Sequence, residues 1–223
     1  MSEAESRLAP DGLSQKEFSR RNFVKVAAGA GAALAAAGIG GVGFATKFAR
    51  AQDGAPAYTT YESLGAADIV SFAYQLELLE GTFYDEGVNA GLFSGNALSQ
   101  IAAIRDHEMA HADALAGILN EVGAPVPATP NFTYPEGVFA DPVAFLDLAA
   151  TFEPVGIGAY QGAAPVLIGN PYLAPALSIH NAECQHRCAI NILQGVVPPN
   201  NVAFEEALPL GEVQQAVAPF GIG

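Results

Sequence analysis

The chain has 223 residues, 51% of them hydrophobic and none of them Trp, with nine Lys and Arg against 23 Asp and Glu for a formal net charge of −14 at pH 7. Seven of the nine basic residues and four of the 23 acids lie in residues 1–51, so the rest of the chain sets only Arg105 and Arg187 against 19 acids, a net charge of −17 with no Lys. A surface of that sign repels phosphate backbones, which excludes nucleic acid as a partner and favours cations.

The front of the chain reads as an export signal. Ser19-Arg20-Arg21-Asn22-Phe23-Val24-Lys25 precedes an uncharged run, Val26 to Ala45, made mostly of Ala and Gly. This resembles a twin-arginine signal peptide, which implies the twin-arginine translocase as a transient partner and a periplasmic or extracellular destination. At ~1.5 Å per residue the run is also long enough to span a bilayer. Retention as a membrane anchor is therefore the alternative. Ala49 and Ala51 supply the small residues of a cleavage site, so the mature protein is expected to begin near Gln52 and not to span a membrane. What remains is enough for one domain.

Residues 52–65 contain Gly, Pro, Thr and Ser and read as a linker. From about Ala66 to Val88, Ile69, Phe72, Ala73, Leu76, Leu79 and Phe83 recur at three and four, the helical period, and Gly87 and Gly91 end the run. A second helix is expected from about Asn96 to Asn120 on Ile101, Ile104, Ala112, Leu115 and Leu119, stopped by Gly123 and Pro125. A short turn joins these two, which makes them antiparallel neighbours. Residues 123–141 carry four Pro and no sustained period, and fit a crossover along a bundle. Asp141-Pro142 reads as an N-cap and first-turn Pro for a third helix reaching about Ala164. Asn170-Pro171 opens a fourth, carried by Leu177, Ile179, Ile190 and Leu193 to Gly195. Pro154 inside the third helix removes a hydrogen bond and crowds the carbonyl of Ala150, so a bend or π-type widening is expected there. The domain is thus residues 66–195, followed by a tail, 196–223, with one short helix near Gly211 to Val217.

Chemistry concentrates in a repeated pattern. Glu108-Met109-Ala110-His111 and Glu183-Cys184-Gln185-His186 are two Glu-x-x-His units, and positions three apart share one helical face. Each has a lone Glu upstream, Glu77 and Glu153, 31 and 30 residues before, and each lone Glu has a Tyr seven residues on, Tyr84 and Tyr160. One such unit is common by chance; four elements in this order at nearly equal spacing are not. Glu80 shares nearly the same face as Glu77 and is the alternative at that position. Tyr84 and Tyr160 are either core aromatics whose hydroxyls find a partner or redox participants beside the ligand set. His107, about 100° around the helix from Glu108, reads as a surface or packing residue, and His180 as either an outer partner of the ligands or a plain core or capping residue. Cys184 and Cys188, four apart on one helix, point along similar directions and read as small buried residues rather than a disulfide.

Four helices with one long crossover, two giving a Glu and two giving Glu-x-x-His, is an arrangement that holds two metal ions in ferritin-like bundles. Leu76-Glu77 through Phe83-Tyr84, Arg105 through His111, Thr151 through Gly162 and Ile179 through His186 resemble the ferritin-like domain of desiccation-related proteins over roughly residues 66–195. The resemblance implies that Glu108 and Glu183 bridge two divalent ions, iron or manganese, with Glu77 and Glu153 as terminal ligands and one imidazole nitrogen each from His111 and His186. Four carboxylates neutralise two divalent ions, as a buried site requires. It further implies redox activity towards dioxygen or hydrogen peroxide, in metal oxidation or in defence against oxidants and desiccation. The competing reading is a non-enzymatic stress protein whose site is vestigial or purely structural. A homo-oligomer is compatible with either.

Overall fold

Helices form where the apolar residues recur at the helical period. The computed structural model describes residues 60–222, so the signal segment and most of the linker lie outside the described residues. Four long helices, α1 (Ala66–Asn89), α2 (Gly95–Glu121), α3 (Pro142–Ala163) and α4 (Leu173–Leu193), precede a short α5 (Leu210–Val217). Among the described residues there is no strand. The fold is the all-α helical bundle expected: α1 packs mainly on α2 and α3 mainly on α4, and residues 122–141 cross between the two pairs.

The helix starts have local causes. Asp141 accepts a hydrogen bond from the Val143 amide at 2.8 Å ahead of Pro142, an N-cap worth about 1 kcal/mol. The Asp68 carboxylate accepts from the Gly65 amide at 3.1 Å and satisfies a donor at the start of α1. The fourth helix starts later than expected, at Leu173. Asn170 instead makes a turn, its side chain accepting from the Tyr172 amide and its carbonyl from the Leu173 amide. Helix α3 runs through Pro154 as uninterrupted α-helix, so of the bend or π-type widening expected there the π-type widening is absent. Pro154 is exposed, so the carbonyl it leaves free is on the side of the helix that water reaches.

Two apolar clusters fill the bundle. One holds Leu76, Phe83, Ile101, Phe145, Phe152 and Ile190; the other holds Ile69, Leu115, Leu119, Ala163 and Ile179. Along α2 and α4 the Glu-x-x-His units fall between the residues that enter one cluster and those that enter the other. The polar residues therefore form a layer with apolar packing on both sides. Phe83 anchors the first cluster, stacked on Phe145 at 4.2 Å between centroids and edge-on to Phe152 at 5.1 Å. Each such buried ring contributes about 1.5–3 kcal/mol.

The segment after residue 196 belongs to the packed structure. Leu210, Val213, Val217 and Ile222 are buried, and the Leu208 amide donates to the Gly158 carbonyl at 2.9 Å. This contact explains the glycines of α3. A Cβ at Gly162 would lie 2.1 Å from the Leu208 carbonyl oxygen, and one at Gly158 would lie 2.4 Å from Leu208 Cγ. Glycine costs a helix about 1 kcal/mol relative to Ala, and here the cost is offset by an approach no larger residue permits. The crossover is tied to the same segment, because Thr133 donates its amide to the Phe220 carbonyl and its hydroxyl to the Pro219 carbonyl.

Candidate metal centre

Glu77, Glu108, Glu153, Glu183 and His186 are buried to 3% exposure or less, in a bundle with almost no cation to meet them. Arg105 pairs with Asp85 and Asp106 at the surface, and Arg187 pairs with Glu205. The six acids and histidines singled out by spacing instead face one another. Their ligand atoms fall into two groups, each within 4.8 Å: Glu77, Glu108, His111 and Glu183, and Glu108, Glu153, Glu183 and His186.

Glu108 and Glu183 are shared, and each divides its oxygens between the halves. His111 Nδ1 is 3.2 Å from Glu108 Oε2, 3.2 Å from Glu183 Oε1 and 3.1 Å from Glu77 Oε2. His186 Nδ1 is 2.8 Å from Glu108 Oε1, 3.5 Å from Glu183 Oε2 and 3.8 Å from Glu153 Oε2. Two carboxylates that each present one oxygen to either half are disposed as bridges.

The tyrosines hold the outer carboxylates, but across the bundle. Tyr84 of α1 donates to Glu153 Oε1 of α3, and Tyr160 of α3 donates to Glu77 Oε1 of α1. Each lone Glu is thus fixed by the Tyr that follows the other lone Glu. One oxygen is taken by the hydroxyl, and Oε2 is left facing a histidine. Burial first, then the neighbouring carboxylates, raise both tyrosine pKa values, which keeps the hydroxyls as donors.

Without an ion the cluster is electrostatically frustrated. Burial, then the other glutamates, push Glu77 and Glu153 well above the usual carboxylate range. Burial also acts to raise Glu108, but the imidazoles of His111 and His186 facing it outweigh burial and lower the carboxyl to about 2. Burial disfavours the charged imidazoles, yet the surrounding carboxylates hold His111 up to about 12 and His186 up to about 11. Glu108 Oε1, Glu153 Oε2, both oxygens of Glu183 and His186 Nδ1 have no hydrogen-bond partner. Buried polar atoms are normally satisfied, so five orphans converging on one space fit metal ions as the missing partners.

His107, expected at the surface or in packing, is exposed and packs on His186. Its Nδ1 lies 3.0 Å from His186 Nε2 with the rings stacked at 5.2 Å, so the offset around α2 directs it at α4. If His186 Nε2 carries the proton and donates to His107, its Nδ1 lone pair is free for a metal. The sequence signal was present, a His beside Glu108, but nothing in it says which neighbour lies at that angle. Glu80 is buried as well, although outside both groups of four. His180 also falls outside both, with its Nε2 buried and unpartnered. Cys184 and Cys188 are free thiols, and burial, then Glu205, raise Cys184 to about 11.

A helical bundle with a buried layer of glutamates and histidines able to hold metal is the class of protein this geometry defines. The sequence model of the ferritin-like domain matches residues 65–196, more than half of the chain, and the chain belongs to that family. No curated protein matches it.

Proposed function

We propose that the cluster holds two divalent ions, iron or manganese, and that the protein acts on dioxygen or hydrogen peroxide in metal oxidation or oxidant defence. The observation that carries this reading is the division of Glu108 and Glu183 between His111 and His186. Four carboxylates balance two divalent ions, and carboxylate with imidazole suits both metals. Such an ion pair would supply electrons to dioxygen or hydrogen peroxide, or take them from hydrogen peroxide as it is oxidised to dioxygen. The chain's own residues do the rest. Glu108 and Glu183 would hold both ions, Tyr84 and Tyr160 lock the outer carboxylates, and the apolar clusters on either side limit water. Resemblance to desiccation-related proteins supports a place in stress defence.

Purified protein should contain two ions per chain and, reloaded with ferrous or manganous ion, should consume hydrogen peroxide faster than free metal does. Two ions without turnover would make the site structural, and no ions would end the reading. The export reading stands on Arg20-Arg21 and the weakly apolar run behind them. Ligands spread from Glu77 to His186 form no site until the bundle packs, so loading before transport spares competition for metal outside. Changing Arg20 and Arg21 together to Lys should retain a metal-loaded precursor in the cell. Normal export of that variant would reassign the signal to the general secretory route.

A further inference from the structure

The cluster contains one carboxylate more than two neutral half-sites use. Glu80 lies one turn after Glu77 in α1 and is 6% exposed, and its Oε2 is buried without a hydrogen-bond partner. Both described arginines are engaged elsewhere, so no guanidinium is available to it. Its electrostatic neighbours are Glu153, Glu108, Glu183 and Glu77, all acids. A buried carboxyl among acids calls for a cation.

Its placement is specific to one half. Gly156 of α3 has no side chain, and a Cβ there would lie 3.1 Å from Glu80 Oε1 and 3.7 Å from Glu183 Oε2. The missing side chain leaves a gap bordered by the carboxylates of both Glu80 and Glu183. Glu183 Oε2 is the oxygen that faces His186, whereas Oε1 faces His111. Glu153, first among the charges acting on Glu80, belongs to the same half. From this placement, and resting on the two-ion reading above, we propose that Glu80 is an additional carboxylate ligand to the ion held by Glu153, Glu183 and His186. The two metal positions are then unequal, and this one is the tighter.

Metal-free full-length chain and its Glu80→Gln variant, which keeps volume and polarity, can be titrated with manganous ion by calorimetry, with bound metal counted after desalting. The wild type should take up two ions, and Glu80→Gln should weaken one of them by about 10-fold or more while leaving the other unchanged. In a His111→Ala background, which spares the His186 half, the loss should fall on the single remaining ion. Gly156→Ala should reproduce it, because the added methyl displaces Glu80. Melting in chelator checks the fold of each variant. Two ions bound by Glu80→Gln with wild-type affinity, or both weakened equally, would overturn the assignment of Glu80 and leave the two-ion reading standing. A wild-type chain that binds no manganese would overturn both.

Discussion

The half of the cluster around His111 approaches solvent, while the half around His186 is closed. The His111 side chain is 15% exposed and its Nδ1 is engaged by the glutamates, whereas the His186 side chain is 3% exposed and its Nδ1 has no hydrogen-bond partner. Behind His186 stands His107, and the Glu80 carboxyl borders that half at Gly156. Equal ligands therefore sit in unequal surroundings. The lesson is that ligand identity fixes what can bind, while the residues around the ligands fix how tightly and in what order.

The largest expected effect removes what the halves share. Glu183→Ala should abolish binding at both, lowering manganese affinity by at least ~100-fold, whereas His111→Ala and His186→Ala should each lose one ion. The melting temperature of Glu183→Ala should fall relative to wild type only when metal is present, since an ion bound by the native state stabilises it by mass action. Equal shifts in metal and in chelator would show that Glu183 is a packing residue. Loss of both ions from His186→Ala would mean that the halves do not bind separately.

Next in size is the effect of pH. In the metal-free protein Glu77, Glu80 and Glu153 have raised pKa values, so their contribution to stability is full below the ordinary carboxylate range and is lost as pH rises. His111 and His186, raised to about 12 and about 11, contribute fully below the ordinary histidine pKa and lose that contribution as pH climbs towards those values. Glu108 works the other way, and its share is lost only as pH falls towards about 2. The chelated protein should therefore melt at a lower temperature at pH 8 than at pH 5. Metal must displace these protons, so affinity should rise with pH by about tenfold per unit for each proton displaced, with release measurable by a pH indicator. Binding without proton release would contradict the charge arrangement described above.

The smallest effect separates the halves most cleanly. His107→Ala removes the ring that contacts His186 Nε2, so it should weaken the ion on the His186 side by about tenfold and leave the other unchanged. His107→Gln, which keeps an acceptor, should recover part of the loss. An unchanged titration would reduce His107 to packing.

The apolar period and the doubled Glu-x-x-His pattern were enough for the helices, their order and the six residues that converge, because both are properties of spacing along a helix. Asp141-Pro142 was legible for the same reason, since a cap acts within one turn. Tertiary structure alone decided the rest. Tyr84 sits seven residues after Glu77 but bonds to Glu153, because a hydroxyl on one helix reaches the facing helix and not its own. Gly158 and Gly162 lower helix propensity, and the reason for them lies in Leu208, packed against them from a distant part of the chain. The inequality of the halves was invisible in the chain, where Glu77 and Glu153 are equivalent by spacing. Which half His107 and Glu80 serve depends on the rotation and approach of neighbouring helices, and those are set by how all the side chains pack at once.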